Sequence, residues 1–136
     1  MTERYFRKRL ATAVLALVLC GLVVGVGLWF KHRSSPIPLD SVAWIAANPK
    51  ADDTRYRMVK DAVRTINSQK WTLDQVLMKL GSPDSPNPFV RSPNAPISLI
   101  YEVGYPRYSL SVPEAYYLRL IFAADGRLIS CGVYPK

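Results

Sequence analysis

The side chains that most often carry catalysis or bind metals are few in this sequence. It contains one histidine, His32, and two cysteines, Cys20 and Cys131, which lie far apart along the chain. One histidine excludes a histidine-based triad, and two separated cysteines do not make a Cys₄ or Cys₂His₂ zinc site. The sequence has no Gly-x-Ser-x-Gly, phosphate-binding glycine loop or His-Glu-x-x-His pattern. It therefore predicts a protein that is not an enzyme and holds no metal or other cofactor.

The acidic residues are scattered, and most have a local use. Asp74 falls in the first turn of a predicted helix, Asp125 in a predicted turn and Asp61 on a helix face. Asp84 and Asn87 offer oxygen ligands of the kind that calcium takes, but the same residue types also initiate turns. Turn formation is the favoured interpretation of this pair.

Tyrosine and arginine, which are enriched at the centres of protein interfaces, cluster in the stretch VGYPRYSLSVPEAYY. We predict an interaction surface there that consists of Tyr105, Arg107, Tyr108 and Tyr117. In the alternative, Tyr116 faces the core and the other tyrosines flank a loop against a sheet. A second contact is predicted at Phe89 and Arg91, because an apolar side chain in a proline-rich loop is accessible to partners.

The N-terminal part of the chain has the composition of a membrane span. Residues Leu10 to Phe30 include no charged side chain over 21 positions, and a helix of that length is about 31 Å long, enough for the hydrocarbon core of a bilayer. Trp29 and Phe30 fall at its far end, where aromatic rings favour the membrane interface. The sequence predicts a basic tail at 1–9, a transmembrane helix at 10–30 and contact with membrane lipid.

Two other interpretations of this segment are less favoured. A cleaved signal peptide usually has a shorter apolar region, and lipidation at Cys20 would require a small residue before it, where Leu19 stands. The pattern Gly21-x-x-x-Gly25 would let two helices approach closely, so pairing of two copies through the span stays open.

The charge distribution predicts the orientation and the class of partner. Four basic residues precede the span and two follow it, which favours a cytoplasmic N-terminus and a periplasmic C-terminal domain in a bacterial inner membrane. Of the net charge of +8, residues up to Arg33 carry +5, and the twelve basic and nine acidic residues that follow are interspersed. This pattern is typical of a solvated surface and does not predict a nucleic-acid partner.

The remainder of the chain changes from a helical to a strand period. We expect a linker at 31–40 and a domain at 41–136. The stretch TLDQVLMKLGSPD has a capping box at Thr72 and Gln75, an apolar stripe and a glycine at its end, so it predicts a short helix. An amphipathic helix is predicted before it, over DDTRYRMVKDAVRTINSQ. The segments ISLIYEV, YYLRLIF and RLISCGVY alternate as strands, and Asp125-Gly126 marks a hairpin turn.

These elements predict an α+β fold in which two helices pack on a three-stranded antiparallel sheet, in two layers. The segments TLDQVLMKLGSPD, LIYEVG and YYLRLIFAADGRLIS, with an Arg-x-x-Met-x-x-Asp pattern upstream, resemble the SmpA/OmlA, or BamE-like, family of small bacterial envelope domains. The resemblance covers residues 44–133 and implies this fold and a location in the cell envelope. It extends to a subset of uncharacterised bacterial members, here with a membrane anchor at the N-terminus.

The function predicted from these observations is binding rather than catalysis. We expect the exported domain to bind another envelope protein as an adaptor or assembly factor. The alternatives are an inhibitor or immunity-type protein, which would neutralise an enzyme or toxin, and a protein that binds a small envelope ligand.

Overall fold

The computed structural model describes residues 2–86, 95–106 and 114–135. The chain divides into two compact units, Met1–Ser35 and Pro36–Lys136. The first contains α1 (Thr2–Ser34), and the second contains three helices and four strands. These are α2 (Ser41–Ala46), α3 (Thr54–Gln69), α4 (Leu73–Leu80), β1 (Ser85–Pro86), β2 (Ile97–Gly104), β3 (Tyr116–Phe122) and β4 (Leu128–Pro135).

Helix α1 contains a stretch that is long and apolar enough to cross a membrane. This stretch runs from Ala13 to His32, has a mean hydropathy of 2.6 and buries none of its residues against the rest of the protein. By length and composition it can serve as a membrane anchor or as a signal sequence.

Helix α3 buries a stripe that matches the spacing of its apolar residues only in part. Among these residues Val59 and Ile66 are buried. Tyr56 and Val63 are only half-buried. The fully buried positions are Arg55, Met58, Val59, Ala62 and Ile66. The stripe is rotated because the Arg55 guanidinium finds partners inside the domain, so a charged residue takes a core position.

Helix α4 has the predicted capping box. The Thr72 hydroxyl accepts from the Gln75 N–H at 3.4 Å, and the Thr72 N–H donates to Gln75 Oε1 at 2.9 Å. Val76 and Leu80 enter the core, and α4 makes its most extensive contacts with α2 rather than with the sheet expected beneath it. Gly81 ends this helix with a φ of +78°, as its type predicts, and Lys70, which ends α3, adopts the left-handed conformation.

The sheet is antiparallel with the strand order β1-β2-β3-β4. Its three long strands confirm the predicted ones, and the two-residue β1 adds a short pairing at the outer side of β2. The register places Leu99 opposite Leu120 and Tyr101 opposite Leu118, so the alternation predicted for these strands is confirmed. These residues form one core cluster with Trp44 and the buried residues of α3 and α4.

The residues that follow the first unit are bound to α3. The Ile37 N–H donates to the Arg57 carbonyl at 3.0 Å, and the Leu39 N–H donates to Asp61 Oδ2 at 2.8 Å. The side chains of Ile37 and Leu39 pack against the core. The second half of the segment 31–40 thus belongs to the folded unit.

The Asp61 carboxylate should make the attachment of this segment sensitive to acid. The hydrogen bond from the Leu39 N–H and the pairing with Arg64 hold the pKa of Asp61 below its usual value, against the opposing effect of partial desolvation. A lowered pKa in the folded state stabilises the fold at neutral pH, and this contribution is lost as the pH falls through that pKa.

We therefore expect the urea midpoint of the full chain in detergent to fall more steeply below about pH 4 than that of Asp61→Asn. Asp74→Asn, which changes an exposed carboxylate of α4, is the control. If the urea midpoints of the wild type and Asp61→Asn changed in parallel with pH, this role of Asp61 would be contradicted.

Candidate interaction site

The structure places two of the predicted contact residues at the same end of the sheet. Tyr105 directly follows β2 and is 37% exposed. Tyr117, the second residue of β3, is half-buried and lies opposite Glu102 of β2 and Tyr134 of β4. Tyr116 points to the other face, where its ring lies 5.7 Å from that of Tyr56 against the core.

The other four predicted contact residues, Arg107, Tyr108, Phe89 and Arg91, lie outside the described residues. Segment 107–113 joins the end of β2 to the start of β3. Segment 87–94 lies between β1 and β2 in the sequence.

One face of the sheet is more exposed than the other and extends the site across three strands. Its cross-strand rows follow from the register: Glu102 with Tyr117 and Tyr134, and Ile100 with Arg119 and Gly132. Tyr134 is 52% exposed, and Arg119 is exposed while its Nε donates to the Ser98 hydroxyl. We call these residues the open face: Ile100, Glu102, Tyr117, Arg119, Ile121 and Tyr134.

Tyr134 and Arg119 were not among the residues predicted from the sequence. Both lie in predicted strands, and the sequence showed that side chains in these strands alternate between the two faces of the sheet. The missing information was the register of β4, which sets Tyr134 beside Tyr117.

The end of β2 is held by a close backbone approach. Gly104 has a φ of +91°, and a Cβ atom at this position would lie 2.6 Å from the carbonyl oxygen of Pro49. The register of β2 and β3 also shifts between Glu102 and Gly104. Glycine at position 104 thus permits both the irregular register of β2 and the close approach to the Pro49 carbonyl. This approach fixes the position of Tyr105.

Arg55 joins four parts of the domain at the edge of the same strand. Its Nε donates to the Trp44 carbonyl at 3.0 Å, and its Nη1 donates to Asp84 Oδ2 at 2.8 Å and to the Glu102 carbonyl at 3.0 Å. Asp84 Oδ2 also accepts from the Glu102 N–H at 2.8 Å. The Arg55 side chain is only 7% exposed, whereas that of Asp84 is 37% exposed, so the guanidinium is buried and the carboxylate keeps some contact with solvent. The sequence analysis did not predict this role, although Arg55 begins the Arg-x-x-Met-x-x-Asp pattern.

Two aromatic side chains border the ion pair. The Tyr101 hydroxyl donates to the Gly81 carbonyl at 2.8 Å. Burial, and then the Asp84 carboxylate, raise the pKa of Tyr101 well above its usual value. Trp44 lies under the Arg55 guanidinium at 5.5 Å and is fully buried. These groups act as donors and packing surfaces that hold the end of β2.

The remaining candidates for chemistry have structural surroundings. Asp84, considered above as a calcium ligand, binds Arg55 and the backbone of β2. Among the described residues, no group of three or more His, Cys, Asp or Glu side chains is placed to hold a metal ion. Cys131 packs against the core, and burial raises the pKa of its thiol to about 11, so the thiol is protonated at neutral pH.

The glycines of α1 line a concavity on one side of that helix. Gly21 and Gly25 share it with the apolar side chains of Val18, Leu22, Val26 and Trp29. A Cβ atom at either glycine would meet nothing within 4 Å, so a second helix has room to approach.

Comparisons with protein-family models, curated proteins and solved structures find no match to this chain. The site is therefore interpreted from its own residues.

Proposed function

We propose that this chain is a single-pass protein of a bacterial inner membrane whose exported α+β domain binds another envelope protein. In this proposal α1 is retained as the anchor, the N-terminus is cytoplasmic and the domain is periplasmic. The basic flank that precedes the span supports this orientation. The domain would act as an adaptor or assembly factor and not as an enzyme.

The fold assignment that accompanies this proposal is the SmpA/OmlA, or BamE-like, arrangement, with the helices in one layer and the sheet in the other. Its support is the burial of the strands, since Leu99, Tyr101, Leu118 and Leu120 are buried while Arg119 and Tyr134 on the alternate face are exposed.

The observation that carries the proposal is the row of Tyr117 and Tyr134 on the open face, with Tyr105 at the same end of the sheet. Tyrosine provides a large, stiff contact area with one polar group, which suits the centre of an interface. Glu102 in the same cross-strand row and Arg119 in the next row offer charges of both signs for pairing. A protein surface is the class of partner that such a face of tyrosines and mixed charges fits best.

An inhibitor or immunity-type role would use the same face, and the identity of the bound protein separates it from an adaptor. A small ligand would need a concave site. The described part of the domain has a cavity of about 330 Å³ beside Pro36 and Pro38, but its lining includes Lys60, Asp61 and Arg64. This charged lining favours the protein partner over an apolar ligand.

The test is photocrosslinking in cells, with the anchor intact and a photoreactive phenylalanine analogue placed in turn at Tyr105, Tyr117 and Tyr134. We expect one dominant protein adduct that is shared by these positions and lost when Arg119 is replaced by glutamate. Met78, which is 72% exposed on α4, is the matched control. Adducts of equal yield from Met78, or none from the three tyrosines, would contradict the proposed surface.

A further inference from the structure

The last strand of the sheet has a free edge. β4 is the outer strand in the order β1-β2-β3-β4, and no hydrogen bond from the described residues reaches its backbone except those of β3. Its eight residues, LISCGVYP, include no charged side chain. Ile129 is 61% exposed and Val133 is 37% exposed.

A long, uncharged edge is unusual because it can pair with any accessible strand. Soluble domains usually protect their edges with charges, prolines, bulges or a covering segment. In β4 the irregular register lies at Leu128–Ser130 and the proline is the last residue. The stretch from Ser130 to Tyr134 therefore remains regular and available for strand addition.

We propose that β4 pairs antiparallel with β4 of a second copy of this chain, which joins the two sheets edge to edge. A two-fold axis through the strand pair places each residue opposite one of the same parity, so each face of one sheet continues into the same face of the other. The absence of charge along β4 means that no like charges meet in this self-pairing.

The choice of a second copy as the occupant rests on the proposed function, in which α1 is retained as a membrane anchor. One strand edge buries much less area than the roughly 1,200 Å² of a specific stable interface, so free domains would pair weakly. Copies that share one bilayer have the same orientation, and their tethering raises the effective concentration of one edge for the other.

The test uses the full chain in its membrane, with two differently tagged copies expressed together and recovered through one tag. Pairing of the regular stretch Ser130–Tyr134 about its centre sets Ser130 of one copy opposite Tyr134 of the other, so each test copy carries the same charge at both positions. Both side chains are exposed, so the fold tolerates lysine or glutamate there. We expect wild-type copies to be recovered together. Two Ser130→Lys/Tyr134→Lys copies, or two Ser130→Glu/Tyr134→Glu copies, should show recovery reduced at least about tenfold, because like charges then meet at the pairing.

The decisive sample combines one Ser130→Lys/Tyr134→Lys copy with one Ser130→Glu/Tyr134→Glu copy, which should restore recovery. The same charges placed at Asn67 and Ser68, both exposed near the end of α3, are the control and should leave recovery unchanged.

Recovery that is insensitive to charge at Ser130 and Tyr134 but lost in Gly21→Leu would assign pairing to α1 and overturn the proposal. Absence of wild-type co-recovery would also overturn it. Crosslinks from Tyr105 and Tyr117, which lie outside β4, test the proposed function separately, whereas an adduct of Tyr134 with a second copy of this chain would report the pairing of β4.

Discussion

Replacing Arg55 with methionine is expected to lower the free energy of unfolding by about 3 kcal/mol. The substitution keeps an apolar stem of similar length but removes the donors that bind Asp84, the Trp44 carbonyl and the Glu102 carbonyl. Breaking a buried ion pair from one side costs roughly 3–5 kcal/mol, and we expect the lower end because Asp84 is 37% exposed and can regain water. For a domain of this size, the midpoint of thermal unfolding should fall by roughly 12–20 °C.

The measurement is thermal unfolding of the full chain in detergent, followed by near-ultraviolet circular dichroism, since Trp44 and Trp71 lie in the core. Arg64→Met is the matched control on the same helix. Its side chain is 79% exposed and pairs with Asp61, and exposed pairs contribute at most about 1 kcal/mol. Equal decreases in the unfolding midpoint of the two variants would show that the Arg55 ion pair adds no more stability than an exposed ion pair.

A double-mutant cycle separates the ion pair from the packing of Arg55. We expect Asp84→Asn to cost less than Arg55→Met, because the amide oxygen can still accept from the Glu102 N–H. The effect of Asp84→Asn should then be much smaller in the Arg55→Met background, since contacting residues are not additive.

Local signals in the sequence predicted the elements well. The Thr72 capping box, the Asp125-Gly126 turn and the alternation in β2 and β3 depend on residues within a few positions of each other. A short stretch of sequence is therefore enough to predict them. Arg55 shows the limit of prediction from local sequence signals. Its partner Asp84 is 29 positions away, and without it an arginine in a helix is assigned to solvent.

The candidate interaction site shows the same contrast between local signals and contacts between distant residues. Tyr105 and Tyr117 could be chosen by residue type, but their position at one end of the sheet depends on the pairing of β2 with β3. Tyr134 joins them only through the register of β4, and the free edge of β4 depends on the strand order of the whole sheet. Strand order and register are set by contacts between distant residues, which no single segment encodes.

The Arg55 ion pair and Gly104 both hold the end of β2 that carries Tyr105. Arg55 and Asp84 bind the carbonyl and the N–H of Glu102, which lies on the open face beside Tyr117. Gly104 then lets the strand approach the Pro49 carbonyl. These contacts with the backbone of β2 thus fix the position of the proposed contact residues at its end.

Replacing Gly104 with alanine is expected to destabilise the domain by about 3 kcal/mol or more and to displace Tyr105. A non-glycine residue at a φ of +91° is strained. The new Cβ would also lie 2.6 Å from the Pro49 carbonyl oxygen, and a backbone atom cannot move aside as the end of a flexible side chain can. The Asn48–Pro49 turn or the end of β2 must therefore shift.

Gly126→Ala is the control that separates these two effects. Gly126 has a similar φ of +80°, but its Cβ would meet only Leu73 Cβ at an ordinary 3.7 Å. Its cost should be that of the positive φ alone, about 1 kcal/mol. The difference between the variants in thermal unfolding then measures the contact with Pro49. At a temperature where both are folded, crosslinking from Tyr105 should fall in Gly104→Ala and persist in Gly126→Ala. If Gly104→Ala instead matched Gly126→Ala in both measurements, the Pro49 contact would not position Tyr105, and the Arg55 ion pair alone would remain to hold this end of the site.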